Sequence, residues 1–365
     1  MPNALSFTHL GLVWNEGKTS PDTELRIRTA RKTAYALMGA GLHGVNGLSP
    51  SVSTHIIKIY VVPRLLYGLE ATVISRKQKE ELSTYHRNLL RTIQGLLKNT
   101  AREAIYLLLG ELPLEAEMDI RALGLYGAIC RAEESTTLRE LATRQMCLDN
   151  KHSWFQEIIS NADKYDVNLC LTIEPPWRKK TWKEYVTTAV KTFWLKSLIE
   201  SAAAKTSLKM IDMRNAMVLR PHQMWIACKR SPRMVQAAVT RARLLTGTYL
   251  LQTRKQKINR EEISNICPLC HTEAEDTLHF LLRCPVTEEI RKRKLNELGK
   301  RNFNFNRHGV SALSQLLNGP QNEDEESSIT HAVISELCHR LHSHRNHILQ
   351  NFIRGAPDLK VARYS

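Results

Sequence analysis

The sequence has no run of about twenty apolar residues, so it predicts no helix that spans a membrane. Its N-terminus also lacks the long apolar core of a secretory signal peptide. A disulfide framework is absent as well, because five of the eight cysteines are scattered singly. These five are Cys130, Cys147, Cys170, Cys228 and Cys338. We therefore expect a protein of a reducing intracellular compartment, either the nucleus or the cytoplasm or both.

Acidic residues are missing from the whole stretch between Met213 and Arg260, which contains eleven lysines and arginines. The complete chain has 52 basic residues against 36 acidic ones, a formal net charge of +16. Such an excess attracts polyanions, of which nucleic acid is the commonest. A solvated basic face without a partner is the alternative interpretation. The lack of any compensating acid over this distance favours RNA or DNA as a partner.

Three cysteines and one histidine cluster in the stretch that follows, at Cys267, Cys270, His279 and Cys284. Thiolate and imidazole are ligands that zinc prefers in a tetrahedral structural site. Asp276 and Thr277 can cap a short helix whose His279 faces back toward the turn, and a proline follows the last cysteine, where that helix must stop. Ordinary buried thiols and a core histidine are the alternative. The spacing predicts one structural Zn²⁺ ion, and four protein ligands leave no open position for catalysis.

Other histidines raise further hypotheses about metal binding. His271 adjoins the second cysteine and is a spare candidate ligand, although an exposed position beside the turn is the simpler interpretation. Five histidines occur between His331 and His347, and Cys338 and His342 have the i, i+4 spacing of one helical face. Because nothing opposite them completes a ligand set, we do not predict a second metal site.

Apolar residues recur at helical spacing through most of the chain and predict a mainly α fold. Trp154, Trp177 and Trp182 lie in a broken, proline-containing stretch, where tryptophans more often pin a loop to the core than stack on bases. The pattern and its breaks divide the chain into a short strand at 1–20, an all-helical domain at 21–147, a linker at 148–182, a basic helical connector at 183–262, a knuckle unit at 263–300, a flexible acidic loop at 301–328 and a C-terminal helix at 329–355.

Several segments, taken in order, resemble one known family. RLLTGTYLLQ at 243–252, then CPLC and EDTLHFLLRCP, look like the C-terminal part of LINE-type (non-LTR) retrotransposon reverse transcriptases, where a CCHC zinc knuckle follows the polymerase. IIKIYVVPRLLYGLEATV at 56–73 resembles the family's thumb helix pair, and RNLLRTIQGL and LLGELPLEAEMDIRALGLYG also fit. THLGL at 8–12 resembles the strand after the catalytic palm, although His9 stands where an aromatic residue is usual.

The resemblance implies a helical thumb-like bundle, further helices and a small CCHC unit that together bind RNA or a primer–template duplex. On this interpretation, basic side chains contact the phosphate backbone near the thumb and near the knuckle. The expected thumb-side contacts are Arg26, Arg28, Arg31, Lys32, Arg87 and Arg91, and those near the knuckle are Arg241, Arg243, Arg254 and Lys255.

The catalytic feature of that family is absent from the sequence. Polymerisation needs paired carboxylates that hold two magnesium ions, and the chain has no Asp-Asp pair. We therefore expect a fragment that follows the palm, is not an enzyme, and whose palm and endonuclease domains are missing. A zinc-stapled helical adapter that binds proteins instead of nucleic acid is the alternative hypothesis.

Overall fold

The computed structural model describes residues 6–9, 12–15, 22–44, 46–133, 135–147, 153–169, 178–260, 262–303 and 309–355. These residues form a mainly helical protein, as the sequence predicts. The elements are β1 (Ser6–His9), β2 (Leu12–Asn15), α1 (Thr23–Met38), α2 (Pro50–Tyr60), α3 (Val62–Leu66), α4 (Arg76–Ile93), α5 (Arg102–Leu107), α6 (Leu114–Cys130), α7 (Thr137–Cys147), α8 (Trp154–Tyr165), α9 (Lys179–Ala203), α10 (Arg214–Met217), α11 (Gln223–Ala227), α12 (Pro232–Leu245), α13 (Gln252–Ile258), α14 (Glu288–Lys300), α15 (Gly309–Asn318) and α16 (Glu325–Gly355). Among the described helices, none is long and apolar enough to cross a membrane.

The chain divides into two compact units, and each combines three separate segments. Unit 1 comprises residues 1–40, 54–90 and 111–201, and unit 2 comprises 41–53, 91–110 and 202–365. This grouping differs from the consecutive segments expected from the sequence, because long-range packing joins stretches that are far apart in the chain.

The predicted strand near the N-terminus is two strands, β1 and β2, which pair antiparallel from Ser6–Asn15 to His9–Leu12.

The core of unit 1 forms where α6, α8 and α9 pack together. Leu123 and Tyr126 of α6 meet Phe155 and Ile158 of α8, and Trp182 of α9 is buried among them. The indole N–H of Trp182 donates to the Leu123 carbonyl at 2.9 Å.

The predicted linker at 148–182 is wrong in part, because α8 lies within it and contributes to the core. The expectation that tryptophans fix this stretch to the core is confirmed for Trp154, whose N–H donates to the Glu70 carbonyl, and for Trp182.

Unit 2 is built around α16, which packs against α11, α12 and α14. The predicted acidic loop at 301–328 is wrong for its described part, because α15 lies inside it and α16 begins at Glu325. Asp324 caps that helix by accepting a hydrogen bond from the Ser327 N–H at 2.6 Å. The acidic residues here act as favourable groups at a helix N-terminus rather than as a solvated loop. Cys170 and Trp177 lie outside the described residues.

A guanidinium lies in the interior of unit 2. Arg241 of α12 has none of its surface exposed and donates to the carbonyls of Leu317 at 2.9 Å and His331 at 3.0 Å. Its Nη2 lies 3.1 Å from Nδ1 of His331, whose Nε2 contacts the Pro320 carbonyl at 2.9 Å. Burial lowers the pKa of Arg241 to about 10. The charge is thus stabilised by carbonyl dipoles and a neutral imidazole, and no carboxylate of the described residues forms an ion pair with it.

Two glycines of α6 provide a matched test of the unit 1 core. A Cβ on Gly127 would lie 2.2 Å from the Trp182 ring, whereas one on Gly124 meets nothing within 4 Å. We expect Gly127→Ala to destabilise the protein by about 1–3 kcal/mol through overpacking. Gly124→Ala should leave stability equal or raise it by up to about 1 kcal/mol through helix propensity. Urea unfolding followed by circular dichroism measures both, and equal midpoints for the two variants would contradict this packing.

Candidate metal centre

The first two cysteines of the cluster lie in a tight loop that the backbone closes. Ile266 and Ala274 form an isolated antiparallel bridge, and the Cys267 N–H donates to the Glu273 carbonyl at 2.7 Å. At the tip, the N–H of His271 donates to the Cys267 carbonyl at 2.9 Å, with His271 in the left-handed region at φ 57°. His271 is exposed and does not belong to the ligand cluster, as its simpler interpretation predicts.

The remaining ligands lie on a short helical segment that follows the loop. Asp276 caps it, because its Oδ1 accepts from the His279 N–H at 2.7 Å, which confirms the predicted cap. A single π-helical turn then extends over His279–Arg283. It ends at Cys284, whose N–H donates to the His279 carbonyl at 2.8 Å, and Pro285 follows. The turn therefore places the histidine and the last cysteine on the same side as the loop.

The four side chains converge on one point. The ligand atoms of Cys267, Cys270, His279 and Cys284 all lie within 4.8 Å of one another. The Sγ atoms of Cys267 and Cys284 are 3.9 Å apart, and Cys270 Sγ is 3.3 Å from His279 Nε2. A tetrahedral ion with metal–sulfur bonds of about 2.3 Å and metal–nitrogen bonds of about 2.0 Å has edges of about 3.8 and 3.5 Å. The geometry thus fits a tetrahedral metal ion.

Neighbouring side chains orient two of the ligands. Oε2 of Glu273 lies 3.1 Å from Nδ1 of His279, which directs Nε2 toward the cysteines. A carboxylate in this position is the usual outer partner of a metal-bound histidine. The Thr272 hydroxyl donates to the Cys270 sulfur at 3.1 Å. These contacts therefore fix the orientation of His279 and Cys270 toward the other ligands.

The thiols differ in their affinity for protons. Burial raises the pKa of Cys267 to about 12 and also raises the pKa of Cys284. Desolvation raises the pKa of Cys270 too, but hydrogen bonds from Thr272 and the Glu273 backbone outweigh it and lower the value to about 6. Only thiolates bind a metal, so a cation must displace protons from the two buried thiols. Metal binding at this cluster is therefore coupled to proton release.

A buried ion pair joins the metal loop to α16. Glu275 has none of its side chain exposed and accepts from Nε and Nη2 of Arg345 at 2.6 and 2.7 Å. Its Oε2 also accepts from the Gln252 N–H at the start of α13, at 2.9 Å. Burial lowers the pKa of Arg345, but the hydrogen bonds and charge of Glu275 outweigh this and raise it. Sequence reasoning missed this pair, because its members are seventy positions apart.

Apolar and polar contacts also fix the helical side of the centre. Phe280 stacks on Tyr249 with ring centroids 5.4 Å apart, and the Tyr249 hydroxyl lies 2.6 Å from Nδ1 of His342. Nη2 of Arg291 in α14 donates to the Cys284 carbonyl at 3.0 Å. His342 thus serves a structural contact. Among the described residues, the CCHC cluster is the one group of three or more potential ligands.

In comparisons with protein-family models, curated proteins and solved structures, no match to this chain was found.

The basic residues expected on the thumb side differ in their exposure and in their pairing. Arg28, Arg31 and Lys32 of α1 are exposed. Arg26 is buried and donates to the Tyr67 carbonyl, so it stabilises the fold and is not available to phosphate. The half-buried Arg87 pairs with Glu80 at 3.2 Å.

Arg91 is assigned to unit 2. It is half-buried and donates to the Lys98 carbonyl at 3.4 Å.

The basic residues expected near the knuckle also differ, because some are buried and others are exposed enough to contact phosphate. The prediction for Arg241 is wrong, because its complete burial prevents contact with phosphate. Arg243 donates to the Gly95 carbonyl at 2.9 and 2.6 Å and is held within unit 2. Arg254 and Lys255 of α13 are partly exposed, and no carboxylate of the described residues forms an ion pair with them.

Sequence reasoning gave too little weight to the next two cations along the chain. Lys257 and Arg260 are exposed and likewise have no ion pair among the described residues. By contrast, the denser basic run in α14 is neutralised. Lys292 pairs with Glu288, Lys294 pairs with Glu297 and Glu336, and Arg293 pairs with Glu289. Local density of basic residues is thus a poorer guide to free charge than the absence of nearby acids.

The buried pair gives a direct test of how the centre is anchored. Glu275→Gln keeps the side-chain shape but leaves Arg345 as an uncompensated buried charge, and we expect a loss of about 3–5 kcal/mol. Glu288→Gln is the matched control, because it breaks a fully exposed pair with Lys292 and should change stability little. Urea denaturation measures both variants. A Glu275→Gln protein as stable as the control would show that this pair does not anchor the loop.

Proposed function

We propose that the chain is a zinc-stabilised, non-catalytic module that binds nucleic acid. Zinc is the favoured ion because three thiolates and one imidazole in a tetrahedron suit it better than magnesium, calcium or manganese. All four positions are occupied by protein ligands, so no site is left for a water or a substrate. The metal would stabilise the fold around Cys267 and Cys284 rather than catalyse a reaction.

One observation carries the nucleic-acid proposal. The side chains of Arg254, Lys255, Lys257 and Arg260 lead into the metal loop without a carboxylate partner among the described residues. Desolvation by burial lowers the pKa of Arg254. Desolvation also lowers the pKa of Lys255, and the nearby Glu275 carboxylate, which is already paired with Arg345, offsets this only in part. A phosphate would supply the missing counter-charge. Contacts of this kind predict binding that weakens with salt and has little sequence preference.

The resemblance to LINE-type reverse transcriptases extends this proposal. In that family a thumb and a CCHC knuckle follow the polymerase, and the corresponding segments here are 56–73 and 243–285. RNA or a primer–template duplex is then the expected ligand, and the palm and endonuclease domains of the parent element are the expected missing partners. The chain has no Asp-Asp pair with which to hold two catalytic metal ions, which supports a binding role.

A protein-interaction adapter is the second candidate function. Large apolar side chains near the metal loop are well exposed, with Leu250 at 43%, Ile258 at 55% and Val286 at 41%. If these side chains form a contiguous patch with a bound partner, they would constitute a protein interface. If proteins are recovered with the chain after nuclease treatment, and RNA and DNA show no affinity, the adapter replaces the nucleic-acid proposal.

The zinc proposal predicts a defined stoichiometry. Metal analysis of the purified chain should find about one zinc ion per molecule. The double variant Cys267→Ser, Cys270→Ser should lose the ion together with part of the folded structure, because binding energy at such a site is folding energy. Cys147→Ser, at an exposed cysteine outside the cluster, is the control and should keep the metal. A metal-free wild-type chain with an unchanged melting curve would refute the proposal.

The nucleic-acid proposal predicts a salt slope that depends on α13. Fluorescence anisotropy with a labelled RNA between about 50 and about 300 mM salt should show steeply falling affinity. The double variant Arg254→Gln, Lys255→Gln should weaken binding and reduce the slope of log affinity against log salt by about two. Lys292→Gln, Arg293→Gln removes the same net charge from paired residues and should change the slope less. Affinity that is indifferent to salt contradicts the proposal.

A further inference from the structure

A groove in unit 1 lies between α1 and α4, separate from the metal centre. It has a volume of about 710 Å³, and its lining includes Ile27 and Arg31 of α1 and Lys77, Thr84 and Tyr85 of α4. The α1 pair has i, i+4 spacing, so both side chains lie on one face of that helix. Small-molecule sites commonly have volumes of about 300–1,000 Å³, so this groove can take a ligand of nucleotide size.

The charges around the groove are not balanced. Arg31, Arg76 and Lys77 line it, are exposed, and form no ion pair with any described residue. The two acids on its wall are already engaged. Glu80 accepts from Arg87 at 3.2 Å, and Glu81 accepts from the Thr23 hydroxyl at 3.4 Å. The hydroxyl does not neutralise Glu81, so one uncompensated carboxylate faces three free cations, and this excess of positive charge favours an anionic ligand.

An aromatic ring with an unsatisfied hydroxyl lies in the same groove. Tyr85 is half-buried, and its hydroxyl oxygen is buried without a hydrogen-bond partner among the described residues. The Arg31 guanidinium lies over the ring, 5.9 Å from its centroid. Burial raises the pKa of Tyr85 to about 12, so the hydroxyl remains protonated at neutral pH and can donate. Because the hydroxyl oxygen itself is buried, a ligand in the groove would contact Tyr85 through its ring.

We infer that this groove binds a nucleotide, with the base against Tyr85 and the phosphate at Arg31, Arg76 and Lys77. A nucleotide combines the two properties that the lining requires, because it has a flat aromatic part and an anionic part. Base stacking on aromatic rings is tolerant of sequence, and cations that follow the backbone complete such sites. The inference rests on the proposed function, since the nucleotide would belong to a single-stranded stretch of the bound RNA or DNA.

Photo-crosslinking tests the position of the base. A single-stranded oligonucleotide that contains 5-iodouracil should, on irradiation with the full chain, modify the tryptic peptide 80–87 at Tyr85. Arg31→Gln should lower oligonucleotide affinity about tenfold and reduce the adduct in proportion. Tyr85→Phe, which keeps the ring, should still form the adduct. Lys183→Gln removes an exposed cation from α9 of the same unit and is the control, with adduct yield unchanged.

Competition separates a nucleotide from a simple anion. Excess adenosine monophosphate should suppress the adduct at Tyr85, whereas inorganic phosphate at the same concentration should suppress it far less. Equal suppression by phosphate would overturn the inference, because the groove would then be an anion site without recognition of the base.

The outcomes also separate this inference from the proposed function. If oligonucleotides bind in a manner that depends on Arg254 and Lys255 but crosslink only elsewhere, the groove inference fails and the proposed function stands. If adenosine monophosphate binds the wild type but not Arg31→Gln, while no oligonucleotide binds, the groove is a free-nucleotide site. In that case the proposed function fails.

Discussion

The carboxylate of Glu275 is the group on which the metal-binding half of the molecule depends. It lies inside the metal loop and has no exposed surface, so it must be fully paired to be tolerated there. Its two oxygens satisfy Arg345 of α16 and the N–H of Gln252 at the start of α13. Three stretches that are distant in sequence are thereby fixed at one point. The CCHC loop is consequently an integrated part of unit 2 rather than an independent knuckle on a flexible tether.

Buried arginines must also be paired, and this explains why the chain has fewer unpaired cations than its excess of basic residues suggests. A guanidinium has five donors in a rigid fork, so it can bind several backbone carbonyls at once. Arg241 of unit 2 binds two carbonyls in this way, whereas Arg243 of unit 2 and Arg26 of unit 1 each bind one. These arginines hold the fold together. Cations that form no ion pair among the described residues include those of α13, the exposed ones of α1, and Arg76 and Lys77 of α4, and all of these can attract a polyanion.

The sequence predicts local features well and long-range ones poorly. The four ligands and the cap at Asp276 were predictable, because a loop and one helical turn contain all of them. The sequence did not predict the helix α15, because the glycines and acidic residues that flank it are typical of loops. Arg241 was misplaced because helical periodicity assumes one buried face. The helix α12 instead packs with α11, α15 and α16, so a side chain assigned to solvent lies in the core.

Two surfaces whose cations have no ion pair among the described residues differ in chemistry, and the difference argues for different roles. The segment at 254–260 offers charge without an aromatic partner, so it can attract a phosphate backbone but cannot recognise a base. The groove between α1 and α4 combines Arg31 and Lys77 with the ring of Tyr85, so it can contact both parts of a nucleotide. A duplex keeps its bases stacked inside, and a single strand exposes them. Charge alone therefore suits a duplex or a single strand equally, while the groove requires unpaired nucleotides.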